Sequence, residues 1–247
     1  TDLVLIDPSA GRQVIHKLPT TPDDPARGIL EGVRALLDSA GVVPSAIDFL
    51  VHGTTLATNA MLQRRYAKTG LLTTEGFRDV LEIGRQRRPS FYNLDVSKPV
   101  APATRDCIFE VAGRLDERGV VVTELDEAGV AVAADALKEK GVTAVAVCFM
   151  HAYANPLHEE RARDILLQRW PEVYVCTSAE VLREFREFER FSSACFNASL
   201  LPVIDKYLER FESGLRTLGV VPSPLVMQSN GGAVSVATVR AAPISTF

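Results

Sequence analysis

The stretch IDFLVHGTTLATN, residues 47–59, decides how this chain is read. Ile47 to Val51 form an apolar run that reads as a buried strand, and the residues after it are too polar to continue it. Ala57 to Arg65 then have a helical pattern, which places His52, Gly53, Thr54 and Thr55 in a strand-to-helix turn. In open α/β sheets such turns converge beyond the carboxyl ends of the strands, where ligands bind. Gly53 lets the backbone approach a ligand, Thr54 and Thr55 offer hydroxyls and amides, and Asn59 lies one helical turn beyond Thr55 on the same face. These groups suit an anion, a polarised carbonyl or a metal-bound water. A plain helix cap, with His52 satisfying a backbone group, explains the same letters.

Upstream, LVLID and RQVIHKL read as two strands joined by the turn PSAG. Thr21-Pro22-Asp23-Asp24 starts a helix with a hydroxyl cap, Ile29, Val33, Leu36 and Leu37 give its apolar stripe, and Gly41 stops it. Downstream, a strand is expected around Gly70 to Leu72, and the alternation of strand and helix implies one parallel sheet with crossovers. Residues 84–104 hold three prolines and no period. Beyond them come strands at Cys107 to Val111 and Val120 to Thr123, a helix from Asp126 to Lys140, the strand VTAVAVCFM, a helix from Pro156 to Gln168 and the strand VYVCTS. A long helical region from Glu180 to about Leu218 is expected to be interrupted at Pro202, and PLVMQSNGG returns to a strand with a glycine turn.

The 247 residues, with 23% charged and a net charge of -4, have no global basic field for nucleic acid and no apolar run long enough for a membrane span. Cys107, Cys148, Cys176 and Cys195 lie far apart without a CxxC pair, and read as reduced core residues of a cytoplasmic protein. The chain opens inside a strand pattern without an initiator Met and closes without a capping signal, so a piece of a longer protein is expected.

Other candidates each have a bland reading. Arg85, Arg87 and Arg88 can bind phosphate or carboxylate, or form a solvated face. Thr73 to Gly76 follow a strand and can line a cleft. His151, with Asn155 and His158, can polarise a carbonyl or bind a metal, but the spacing matches no tight ligand motif and Asn155-Pro156 also starts helices. His16 reads as structural. Gln228 to Gly232 form a tight turn or a ligand-facing loop.

Five blocks in order, HGTTLATNAMLQRR, TGLLTTEGFRDVLEIGRQRRP, AVAVCFMHAYANPLHE, EFREFERFSSACFNASL and PLVMQSNGG, resemble the hydantoinase A and 5-oxoprolinase family. The resemblance implies an α/β fold of actin-like ATPase architecture, with ribonuclease-H-like halves closing over a nucleotide. Residues 1–178 would form the family's N-terminal domain and 179–247 the start of its hydantoinase A core. ATP with Mg2+ would activate a cyclic amide by phosphorylation and open a hydantoin or 5-oxoproline ring. A subunit of an ATP-dependent ketone carboxylase and a non-catalytic binding module are the alternatives.

On this resemblance His52, Thr54 and Thr55 act at the reacting carbonyl or the transferred phosphoryl group. Gly53, Asn59, Arg85, Arg87, Arg88, His151, Gln228 and Asn230 bind substrate. Thr1, Asp2, Gly231 and Gly232 lie on the nucleotide side, and Glu187, Glu189, Arg190 and Asn197 join the cleft. Family members carry a glycine-rich phosphate loop before TDLVLID and a second aspartate-glycine-glycine loop after PISTF, so the nucleotide side is expected to be incomplete. A hydantoinase B-like partner and a homo- or hetero-oligomer are implied, and the identity of any protein-bound metal is left open.

Overall fold

The computed structural model describes residues 1–247 apart from 88, 89, 91, 94 and 97–99. In chain order its elements are β1 (Asp2–Asp7), β2 (Arg12–Lys17), α1 (Pro25–Ala40), β3 (Val51–His52), α2 (Leu56–Leu62), β4 (Thr69–Thr74), α3 (Val80–Ile83) and β5 (Ala103–Val111). There follow β6 (Arg114–Leu115), β7 (Val121–Thr123), α4 (Glu127–Glu139), β8 (Ala144–Cys148), α5 (Leu157–Arg169), β9 (Tyr174–Thr177) and α6 (Ser178–Val181). The last are α7 (Glu187–Leu218), β10 (Leu225–Met227), β11 (Ala233–Ser235) and α8 (Val236–Ala241). They make two compact units, one of Thr1–Leu56, Ile204–Arg240 and Ser245–Phe247, the other of Ala57–Val203 and Ala241–Ile244.

In the first unit β1 and β2 pair antiparallel around Gly11, whose φ of +59° suits glycine. Helix α1 starts later than its letters suggest. Its cap is Asp24, whose carboxylate accepts from the Arg27 amide, while the Thr21 hydroxyl donates to the Asp24 carbonyl and accepts from Gly28 N–H. Gly41, left-handed at φ +68°, ends it. A three-stranded sheet in the order β11-β10-β3 completes the unit, with β3 parallel to β10. The expected strand Ile47 to Val51 is thus short, only its last residue being in β3, and it is not buried: Phe49 is 67% exposed and Val51 42%. An apolar run shows that a strand is favourable, not that a layer covers it.

The second unit is built on a parallel sheet in the order β5-β4-β8-β9. Side chains alternate across a strand, so Leu72, Val145 and Val147 face one way and Leu71, Ala144, Ala146 and Cys148 the other. The first face packs on Val130, Ala133, Ala134 and Leu137 of α4 and Ala162 and Leu166 of α5. The second packs on Phe191, Ala194, Cys195 and Ala198 of α7. Cover on both faces explains why VTAVAVCFM is apolar without alternation. The expected single sheet through β3 and β4 is not formed, because β3 pairs with the distant β10 and β4 with β5 and β8. Letters mark a strand without naming its partner.

Nor does Pro202 interrupt the long helix: α7 runs unbroken from Glu187 to Leu218. A proline inside a helix costs about 3 kcal/mol. Leu200, Leu201, Ile204 and Leu208 around it are buried, each contributing roughly 1.5–3 kcal/mol, so burial wins.

Candidate functional site

In the first unit the parallel pairing sets Val226 of β10 opposite His52 of β3. The HGTT and QSNGG segments therefore leave adjacent strand ends side by side. A Cβ added at Gly53 would lie 3.7 Å from the Met227 sulfur, an ordinary contact, so no close packing within the unit demands glycine there. Thr55 is exposed just before α2.

His52 is partly buried, with its Nε2 2.5 Å from the Tyr207 hydroxyl and its ring centroid 4.8 Å from that of Phe211. Tyr207 and Phe211, one turn apart on α7, lie with ring planes parallel to within 2°. Desolvation pulls the imidazole down to about 4, so His52 is neutral at pH 7. Burial pushes the Tyr207 phenol well up, opposed by a hydrogen bond with Thr54. The Thr54 hydroxyl oxygen also accepts from the Leu56 amide at 3.2 Å. Tyr207 and Phe211 are absent from the sequence-derived site, although their i, i+4 spacing puts two aromatics on one helix face.

The QSNGG segment is a tight turn. Gln228 N–H donates to the Gly232 carbonyl at 2.7 Å, Gly231 sits at φ +88°, and the Asn230 side-chain oxygen accepts from Gly232 N–H at 2.9 Å. Thr1 donates through its amino terminus to the Leu18 carbonyl, and exposed Asp2 pairs with Lys17 at 3.0 Å, which lowers its carboxyl pKa.

In the second unit the chain leaves β4 towards β5 and leaves β8 towards β9, in opposite directions. The β4/β8 boundary is thus a topological switch point, where loops part and ligands bind in open sheets. The Met150 amide donates to the Thr74 hydroxyl across it at 3.0 Å. His151 stands there in a left-handed conformation, φ +59°, its Nδ1 buried without a hydrogen-bond partner among the described residues. Asn155 follows the bland reading: its oxygen accepts from Leu157 N–H at the start of α5, and its amide donates to the Gly119 carbonyl. His158 is buried, and desolvation lowers its pKa.

Below this edge lies a buried charged network that sequence reasoning did not assemble. Glu159 accepts from the Phe149 amide at 2.8 Å, the Ser178 hydroxyl at 2.5 Å and the Ala179 amide at 2.9 Å. Arg190, fully buried, donates to the Ser178 hydroxyl at 3.0 Å and lies 3.9 Å from the Glu159 carboxylate. Burial pushes Glu159 up to about 7 against the pull of these donors and of Arg190. Arg85 forms an ion pair with Glu189, joining two candidates, and Arg87 is exposed. Arg88 lies outside the described residues. Asn59 is exposed on α2, while Asn197 ties the Ala241 carbonyl and the Ile244 amide.

All four cysteines are free and buried. Among the described residues no group of three or more His, Cys, Asp or Glu could hold a metal, and no helix is long and apolar enough to cross a membrane.

The hydantoinase/oxoprolinase N-terminal region model matches residues 1–170, and the hydantoinase/oxoprolinase model residues 190–247. The chain is 35% identical to caprolactamase subunit alpha of Pseudomonas jessenii, over 94% of this chain and 34% of that one. It is 34% identical to the acetophenone carboxylase gamma subunit of Aromatoleum aromaticum, over 96% of this chain and 34% of that one. The crystal structure of the ATP-dependent caprolactamase from Pseudomonas jessenii superposes with a TM-score of 0.88 at 33% identity, covering 100% of this chain and 36% of that one. The chain therefore spans about a third of the length of these relatives. The expected α/β fold of actin-like ATPase type is the fold found. Two family models in tandem account for nearly all of the chain, which belongs to the hydantoinase/oxoprolinase family.

Proposed function

We propose that this chain serves in the ATP-dependent opening of a cyclic amide, a hydantoin, 5-oxoproline or lactam ring. The observation that carries the reading is the side-by-side exit of HGTT and QSNGG from β3 and β10, with a neutral histidine at its base. In this reading the amide oxygen takes the γ-phosphoryl group of ATP, leaving ADP and an activated carbon. Water then adds to that carbon, the ring C–N bond breaks, and phosphate departs. His52 and Thr55 hold the carbonyl or phosphoryl oxygen, Thr54 supports them, and Gly53 admits the ligand. Gln228 and Asn230 form the opposite lip, with Thr1, Asp2, Gly231 and Gly232 towards the nucleotide. Asn59, Arg85, Arg87, Arg88 and His151 are the remaining substrate candidates, and Arg85 must exchange Glu189 for substrate to serve.

Magnesium accompanies ATP on its phosphates, since a hard cation takes oxygen ligands. A hydantoinase B-like subunit is the proposed partner, in keeping with relatives named as subunits. Buried free thiols suit a reducing compartment, the cytoplasm.

The test is ATP hydrolysis by the full-length protein with its neighbouring subunit, offered caprolactam, hydantoin, 5-oxoproline, or acetone with bicarbonate. Stimulation by a cyclic amide, abolished by Thr55→Ala, is expected. Stimulation by ketone and bicarbonate alone would assign a carboxylase instead, the reading that the acetophenone carboxylase relative favours.

A further inference from the structure

We infer that Tyr207 fixes His52 as its neutral Nδ1–H tautomer, so that His52 meets a ligand oxygen as a hydrogen-bond donor rather than as a base. The direction of the bond between the two side chains carries this. Tyr207 has one hydroxyl proton to give, and His52 Nε2 is 2.5 Å away.

The opposite direction would make the imidazole N–H donate to the phenol oxygen. It loses on two counts: a phenol is the more acidic donor, and the bare imidazole nitrogen is a better acceptor than a phenol oxygen. Transfer of the proton to make a phenolate and an imidazolium would create two charges in a desolvated place, which burial of both groups opposes. Phe211, 4.8 Å from the imidazole centroid, restricts the tilt of the ring.

With Nε2 engaged, the only proton on the ring is on Nδ1. The occupant it selects is an acceptor oxygen, as a carbonyl or a phosphoryl group provides, and a general base at this position is excluded at neutral pH. The catalytic half of the inference rests on the function proposed above; the tautomer does not. Tyr207 is a positioning residue, since it acts through His52.

The experiment is a two-bond 1H–15N correlation spectrum of the uniformly 15N-labelled chain at pH 7, which separates protonated from bare ring nitrogens for each of the four histidines. For His52 a protonated Nδ1 and a bare Nε2 are expected, and a protonated Nε2 in the unsubstituted chain overturns the inference outright. Tyr207→Phe should shift the His52 ring towards the Nε2–H form while His16, His151 and His158 keep their signals, which also reports that the variant is folded. In the ATPase assay the same variant should lower kcat on the order of tenfold to a hundredfold with KM little changed. A swapped tautomer with undiminished kcat would remove the catalytic half alone. If no substrate stimulates the enzyme, the function proposed above fails while the spectrum still decides the tautomer.

Discussion

Glu159 and His52 are both held away from their ordinary titration range by burial, with opposite consequences for stability. Glu159 rises from 4.5 to about 7, so between these values the folded chain binds the proton that the unfolded chain has lost. Its contribution to stability is present below pH 4.5 and declines as the pH rises to 7, by up to about 1.4 kcal/mol per pH unit. Glu159→Gln removes this slope. The variant-minus-parent stability from urea unfolding should therefore climb with pH from 4.5 to 7, and a difference that stays level across that range would show that Arg190 and the three donors keep the carboxylate ionised. His52 shifts from 6.5 to about 4, so stability is lost as pH falls from 6.5 towards 4. Its ring-proton NMR shifts should stay unchanged from pH 8 to 5, whereas an inflection near 6.5 would place it in water. Little of this was legible beforehand. His52 and Thr54 stood out because polar letters followed an apolar run, but Tyr207, Phe211 and Glu159 sit in helical patterns that read as packing. Contacts separated by 155 residues, as between His52 and Tyr207, leave no local signal.

Among the elements, β4 shows how closely the second unit is packed. A Cβ at Gly70 would lie 2.6 Å from Leu137 Cδ2 and 3.3 Å from Val142 Cγ1. Leu137 is itself fully buried, packed in the cluster on this face of the sheet. Replacing a strand glycine by alanine ordinarily gains roughly 0.5–1 kcal/mol. Here overpacking should dominate, and Gly70→Ala should lower stability by about 1–3 kcal/mol in urea unfolding. In a Leu137→Ala background, itself costing about 2–5 kcal/mol, the added methyl should cost little; an unchanged penalty would place the strain elsewhere. Elements were readable where an end carried its own chemistry, as at the Gly41 stop of α1 and the Asp126 cap of α4. They were misread where burial outweighs propensity, as at Pro202, and where only a partner strand defines the element, as at Ile47 to Val51.

For the molecule as a whole, chain order and compact unit do not coincide: residues 1–56 and 204–240 fold together, with 57–203 as another body. A linear reading finds the repeated alternation of strand and helix, and therefore the class of fold, but pairing β3 with β10 needs information 174 residues distant, as from Val51 to Leu225, that no local pattern contains. The same division determines what common probes report. Cys107, Cys148, Cys176, Cys195 and Trp170 all belong to the second unit, so thiol labelling and tryptophan fluorescence both follow that unit alone. They nevertheless watch opposite faces of its sheet. Trp170 packs in the cluster beneath α4 and α5, and Cys148, Cys176 and Cys195 in the cluster beneath α7. Because β4 and β8 supply side chains to both clusters alternately, neither face can open without disturbing the strands that hold the other. In a urea series, the fraction of the three thiols captured by a brief pulse of alkylating reagent should therefore superimpose on the Trp170 fluorescence transition. Thiols captured at lower urea than the fluorescence change would mean that α7 leaves a sheet still covered by α4 and α5, making each face a separate layer of stability.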